Sequence, residues 1–302
     1  MHPDVAPSPA ETPVPPAQIV ISLYLRLLRE SRGMLQERTA DFVGVAVSAV
    51  SRWERAVTPI PPNKLSQMLR LYGVKDPHKA FLVQSIPPRR SDRMEQGVAL
   101  RAPDDHWADV ADAEATARHI AVMRAASEVI EYCMRPPAGL RTQAYEQLVL
   151  TPKNCAIPDV PLLGLPSWVH GVDWAPGQRR TVILDEVVLT QGGHHAATVA
   201  AQLRHLASLV DQEDPGGGLT LRILPLSRVP IVLSSGPVAE VTVRGHRMVA
   251  SARLFPSYET GSGAARAVSA GLLEALDAAW SREETQTRLV SAAEAMERRA
   301  AS

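Results

Sequence analysis

The sequence predicts a small all-α domain followed by a larger mixed α+β domain with helices at both of its ends. Three observations carry this. Residues 19–86 break into five short segments with apolar residues at helical spacing. Residues 87–106, "PPRRSDRMEQGVALRAPDDH", carry charge and proline without periodicity. Beyond them, apolar runs such as "RTVILDEVVL" alternate with long helical patterns. At 302 residues the chain is long enough for two ordinary domains. Its 45% apolar content supplies a core of mostly Ala, Val and Leu, since aromatics are only 4%.

The elements follow in order. Six prolines in the first 16 residues make residues 1–18 a disordered, polyproline-like tail. That stretch lacks the basic-then-apolar order of a secretory leader. Residues 19–32 place apolar side chains at 19, 20, 23, 24, 27 and 28, an amphipathic helix closed by Gly33. Residues 36–43 form a second helix, ended by Gly44, and residues 46–55 a third. A proline-led fourth turns Leu65, Met68, Leu69 and Tyr72 inward, and residues 77–86 add a fifth. The helical domain is thus 19–87, the linker 88–106 and the second domain 107–302. In the second domain, helices are expected over 107–134, 141–149 and 264–300. "RTVILDEVVL" and "LTLRILPL" read as buried strands flanking the helix "HAATVAAQLRHLASLV". "EVTVRGHRMVASARL" reads as a hairpin turning at Arg244-Gly245-His246.

Net charge is zero but unevenly spread. Residues 19–93 hold 13 Lys/Arg against 6 Asp/Glu, and residues 94–302 hold 19 against 24. A basic first third suits a polyanion partner; an ordinary solvated basic face is the alternative. No run approaches 18 apolar residues, so no membrane span is expected. Cys133 and Cys155 cannot make a disulfide framework and read as reduced cytosolic thiols.

The stretch "AVSRWERA", residues 49–56, is the most informative. Ala46, Ala49, Val50 and Trp53 fall on one apolar stripe of the third helix. Ser48, Ser51, Arg52 and Arg55 fall on the opposite side, where hydroxyls and guanidiniums can meet the edge of a nucleic acid groove.

With its neighbours this stretch resembles the Xre/Cro-type helix-turn-helix of bacterial and phage repressors. Arg29, Gly33, Gln36, Ala40, Gly44 and Ser51-Arg52-Trp53-Glu54 match the family's pattern at its spacing. The resemblance implies a structural ion pair between Arg29 and Glu54. It places Gln36 at a phosphate, Val47, Ser48 and Arg52 at base edges, and Asn63 and Lys64 on the opposite backbone. Ser51 and Arg55 complete the expected DNA-binding set on the exposed face. Leu35 and Ala46 depart from the usual Ser/Thr/Asn caps, and Ala56 from the usual glycine.

Residues 107–300 are similar to the domain of poorly known function that follows the helix-turn-helix in actinobacterial Xre-type regulators. The resemblance rests on "PAGLRTQAY" (137–145), "LDEVVL" (184–189), "VAAQLRHLASL" (199–209), "LRILP" (221–225) and "LLEALDAAWSREETQTRLV" (272–290), in that order. Gly139 and Arg141 depart from the first segment's pattern. The resemblance implies an antitoxin-like or regulatory domain with a small partner protein encoded nearby.

No catalytic, metal or cofactor constellation stands out. His194 and His195 are adjacent and His205 lies ten residues on, which is no metal-ligand spacing. Asp185 and Glu186 would point to opposite faces of a strand. "DPGGGL" (214–219) lacks the lysine and the helix of a phosphate loop. The expected function is a cytoplasmic, nucleoid-associated transcriptional regulator that binds double-stranded DNA as a homodimer and uses no cofactor. Ala267, Ala270, Leu273, Leu276 and Trp280 are the expected dimer stripe. An antitoxin-like interaction protein is the alternative, and an enzyme with a vestigial helix-turn-helix the third reading.

Overall fold

The computed structural model describes residues 14–86, 105–110, 112–150, 165–213, 218–252 and 255–302. Most of the expected tail and linker, Cys155, and residues 214–217 lie outside them.

Five helices open the chain: α1 (Pro16–Glu30), α2 (Gln36–Val43), α3 (Val47–Glu54), α4 (Pro62–Leu71) and α5 (Asp76–Ser85). The first starts three residues earlier than its apolar periodicity suggests, because Pro16 can open a helix that needs no N–H there. The second domain runs β1 (His106–Ala108), α6 (Asp112–Ala125), β2 (Glu128–Cys133), α7 (Gln143–Leu150), β3 (Arg179–Asp185), α8 (Ala196–Asp211) and β4 (Leu219–Leu224). It continues through β5 (Val238–Val243), β6 (His246–Ala252), β7 (Pro256–Glu259), α9 (Gly263–Ala278) and α10 (Arg282–Ala301).

The described strands form one seven-stranded sheet in the order β1-β7-β6-β5-β2-β3-β4. Strands β2, β3 and β4 run parallel, joined by connections that contain α7 and α8, as parallel pairing requires. The other neighbours are antiparallel. The β5–β6 hairpin turns on Arg244 and Gly245, both at positive φ (53° and 82°), as a two-residue turn of right-handed twist requires.

Register explains the layers. Val129, Val182, Leu184, Leu221, Ile223, Val241, Met248, Ala250, Tyr258 and Trp107 share one face of the sheet. Over the parallel half that face is covered by α8 and α10; over the antiparallel half it is covered by α1 and α6. On the opposite face α9 packs on Tyr132, Ile183, Leu224, Val238 and Val249. There the antiparallel half carries Thr242, Arg247, Ser251, Ser257 and Glu259 instead, the polar alternation of a sheet that meets water.

Helix α1 therefore belongs to two cores. Ile19, Val20, Ile21, Leu23, Tyr24, Leu25 and Leu28 are all buried, leaving little solvent face. A helix apolar nearly all round is a helix packed all round. The helix-turn-helix unit and the sheet share one continuous apolar cluster.

Four expectations are corrected. Residues 107–134 are strand, helix, strand and not one helix; "EVIEYC" is a strand whose last three residues are all buried, and an Ala-rich helix before it obscures so short a run. Strands β1 and β7, of 3 and 4 residues, go beyond the strands expected from the sequence. Residues 264–300 split at Ala279–Ser281, where Ser281 caps α10 by accepting from the Glu284 N–H. Trp280 thus lies beyond α9, its ring 4.6 Å under the Arg288 guanidinium, and Leu276 packs half-buried on the sheet cluster, so neither continues the exposed stripe of Ala267, Ala270 and Leu273. Asp185 ends β3 and caps a 3-10 turn at Glu186–Leu189, so Asp185 and Glu186 do not oppose each other across a strand.

Candidate nucleic-acid interface

The α2–turn–α3 motif is built on small residues at its crossing. Ala40 and Val43 of α2 and Val50 and Trp53 of α3 are buried together. Gly44 ends α2 at φ 67°, a left-handed conformation that a side chain would strain. Leu35 and Ala46, in the N-cap positions, make no side-chain cap, so neither helix start gains the usual contribution of about 1 kcal/mol.

Arg29 fixes the angle of α3. Its Nε donates to Glu54 Oε1 at 2.7 Å and its Nη2 to Glu54 Oε2 at 3.0 Å, while Nη1 donates to the Met34 carbonyl at 2.7 Å. The Glu54 hydrogen bond holds the Arg29 pKa above its ordinary value. Gln36 Nε2 donates to Glu54 Oε2 at 2.8 Å, so one N–H of the half-buried Gln36 amide is engaged inward. Behind them Thr39 and Tyr72 share a hydrogen bond of 2.9 Å, and burial pushes the Tyr72 phenol up to about 12.

The outer face of α3 is what remains. Val47, Ser48, Arg52 and Arg55 are exposed and Ser51 is half-buried. The Arg52 guanidinium engages no described residue, whereas Arg55 Nε donates to the Ser51 carbonyl at 3.3 Å. Lys64 Nζ donates to the Val43 carbonyl at the end of α2, so its ammonium is partly spent within the fold. Asn63 is exposed at the start of α4, its Oδ1 accepting the Lys64 N–H at 2.9 Å. The same unit carries Leu35 and Phe42, exposed apolar residues, with Arg70 5.7 Å above the Phe42 ring. The face of α3 offers hydroxyls, guanidiniums and methyls in a strip one helix wide, the inventory of a major-groove reader.

Sequence reasoning missed the seat of this unit on the sheet. Tyr24 of α1 donates to Glu114 Oε2 of α6 at 2.9 Å, and Trp168 Nε1 donates to the same oxygen at 3.3 Å. The Tyr24 and Trp168 rings meet edge to face, 5.2 Å apart at 61°. Beneath them Arg118, 1% exposed, donates to both oxygens of Asp109 at 2.7 and 2.8 Å and lies 4.9 Å from the Tyr24 ring centre. Arg244, at the tip of the β5–β6 hairpin, sits in the field of Arg26, Arg29, Glu30 and Glu54; burial, with Arg26 adding to it, brings its pKa down to about 10. The Tyr24–Glu114 and Trp168–Glu114 contacts span 90 and 54 residues, and no local spacing announces them.

Elsewhere the described residues gather no group of three or more His, Cys, Asp or Glu that could hold a metal ion. His194 and His195 are exposed in a 3-10 turn ahead of α8, which carries His205. Cys133 is buried beside Glu131, and burial raises its thiol well above the ordinary value, which suppresses the thiolate. No described helix is long and apolar enough to cross a membrane.

Compared with known proteins, residues 21–82 match the family model of a helix-turn-helix domain. Residues 107–291 match that of a domain of unknown function, DUF5753. No curated protein and no solved structure gives a significant match.

Proposed function

For a chain that belongs to the DUF5753 family and carries a helix-turn-helix domain ahead of it, we propose a sequence-specific, double-stranded-DNA-binding transcriptional regulator of the Xre type and of the actinobacterial kind. The observation that carries this is the outer face of α3. Ser48, Arg52 and Arg55 stand exposed on a helix whose angle is pinned by the buried Arg29–Glu54 pair. Rigid support under an exposed basic strip is what base readout needs.

In this reading the protein works in the cytoplasm at the nucleoid, without catalysis or a cofactor. The second domain transmits a signal and brings two copies together, so that two recognition helices reach successive turns of DNA. Ala267, Ala270 and Leu273, exposed on α9, are the surface we assign to that pairing. The test is a gel shift with DNA from upstream of the protein's own gene against random DNA of equal length. Selective, salt-sensitive retention supports the reading; equal affinity for both sequences overturns it.

One observation favours a second reading, capture of a small partner protein. The connection between β4 and β5 exposes Leu226 (65%) and Ile231 (91%), large apolar side chains that a monomer in water seldom displays so close together in the chain. Co-purification with the product of a neighbouring small gene, lost in Ile231→Ser, would favour it.

A further inference from the structure

We propose that the cleft between the helix-turn-helix unit and the sheet binds a small organic anion with a flat apolar body. The inference deepens the regulator reading and rests on it for its meaning, since such a ligand would touch the DNA-reading unit and the signalling unit at once.

The cleft has a volume of about 440 Å³, inside the range of about 300–1,000 Å³ usual for small-molecule sites. One wall is α1 with the α4–α5 turn; the other is the start of α6 with the Pro166–Trp168 segment. Its floor is aromatic. Tyr24 and Trp168 line it, 2% and 7% exposed, and their polar ends both donate to Glu114 Oε2. Glu114 is answered from below as well, by Arg118 Nη1 at 4.0 Å. That nitrogen is buried and has no hydrogen-bond partner.

The rim is cationic. Arg32 is exposed at the end of α1; its Nη1 caps the helix at the Leu28 carbonyl, while Nη2 leans across the cleft towards Gly73. Lys75 is exposed on the facing turn, and its ammonium engages no described residue. Two guanidinium or ammonium groups above an aromatic floor recognise a carboxylate, sulfonate or phosphate attached to a planar ring. A cation would meet like charge at the rim. A neutral apolar molecule would gain the floor alone.

The test uses the full chain and two fluorogenic probes, 8-anilino-1-naphthalenesulfonate and its uncharged relative N-phenyl-1-naphthylamine. The sulfonate should bind one site per chain. The double substitution Arg32→Ala with Lys75→Ala should weaken it about fivefold or more, since each exposed ion pair is modest. The same variant should leave the neutral probe unchanged. Both positions are solvent-exposed, so thermal unfolding should confirm an intact fold. Ile231→Ser removes the most exposed apolar side chain and should change neither probe. A smaller loss in the double variant, an equal loss for both probes, or loss of sulfonate binding in Ile231→Ser overturns the proposal. The gel shift reads separately. Protein that fails to select DNA but binds the sulfonate through Arg32 and Lys75 refutes the regulator reading and leaves the cleft. Protein that selects DNA with a cleft indifferent to the double substitution refutes the cleft alone.

Discussion

Arg29 and Glu54 join α1 to α3 by two parallel hydrogen bonds of 2.7 and 3.0 Å, with Arg29 7% and Glu54 1% exposed. Removing one member strands the other's charge in a dry site at about 3–5 kcal/mol; replacing both by apolar groups removes that penalty. Arg29→Met and Glu54→Leu should each lower stability steeply, and the double variant should lose clearly less than the sum. Urea unfolding of the four proteins measures the difference. Simple additivity would show that the pair contributes no coupling.

The two units differ in how much of them could be read in advance. The helix-turn-helix was legible because Ala40, Gly44, Val50 and Trp53 recur at fixed short spacing, each with a packing or turn role that a window of residues reveals. The exposed side of α3 was legible for the same reason. The inward turn of Gln36 was not, because it depends on where Glu54 stands across the fold. Strands of 3 and 4 residues carry too little periodicity to be seen. The contact of Tyr24 with Glu114 spans 90 residues, and no local pattern reports it. Ala56 in place of glycine is tolerated for a reason that only structure shows. At φ 58° it carries a strain of about 1–2 kcal/mol, and the burial of its methyl, worth about 0.8 kcal/mol, offsets part of it.

The imidazole of His119 is a source of acid sensitivity. Burial pushes its pKa down to about 4, with Asp109 pulling the other way, and its Nδ1 has no partner. The unfolded chain titrates this group near 6.5. Between these two values the unfolded state therefore binds a proton that the folded state refuses. Its contribution is complete above the unfolded value and is lost as pH falls, at most about 1.4 kcal/mol per unit. Urea midpoints of the parent should fall over this window, and His119→Leu should flatten that part of the curve. An unchanged slope in the variant would assign the acid sensitivity to other groups.

Gly271 lies in the interior of α9, where alanine would ordinarily stabilise a helix by about 1 kcal/mol. A Cβ at this position would stand well inside contact distance of Val232 Cγ1, and a valine cannot swing aside. Overpacking of this kind costs about 1–3 kcal/mol. Gly271→Ala should therefore lower the melting temperature. Val232→Ala, at a position 37% exposed, should cost little alone and should restore the Gly271→Ala protein. If Gly271→Ala is stabilising by itself, the close approach of the Ile231–Leu233 turn to α9, centred on Val232, is not tight.

The two arginines of α3 should separate base reading from backbone holding. Arg52 is exposed in the body of the helix, one turn after Ser48, and no described residue engages its guanidinium. Arg55 follows the last residue of α3 and is tethered by Nε to the Ser51 carbonyl at 3.3 Å, at the end of the helix where a DNA backbone would pass if α3 reads a groove. A guanidinium that grips guanine contributes about 1–3 kcal/mol of discrimination against the wrong base. One that meets phosphate releases counterions and contributes about one unit of salt slope, whatever the sequence. Arg52→Ala should narrow the gap between selected and random DNA, while Arg55→Ala should weaken both alike and flatten the salt dependence. Trp53→Ala should act by another route, since loss of a buried ring costs about 3–5 kcal/mol and unfolds the support under both arginines. Binding titrations at several salt concentrations, with circular dichroism to confirm folding, distinguish the three. If Arg52→Ala keeps the parent's affinity and selectivity, the outer face of α3 does not read the bases.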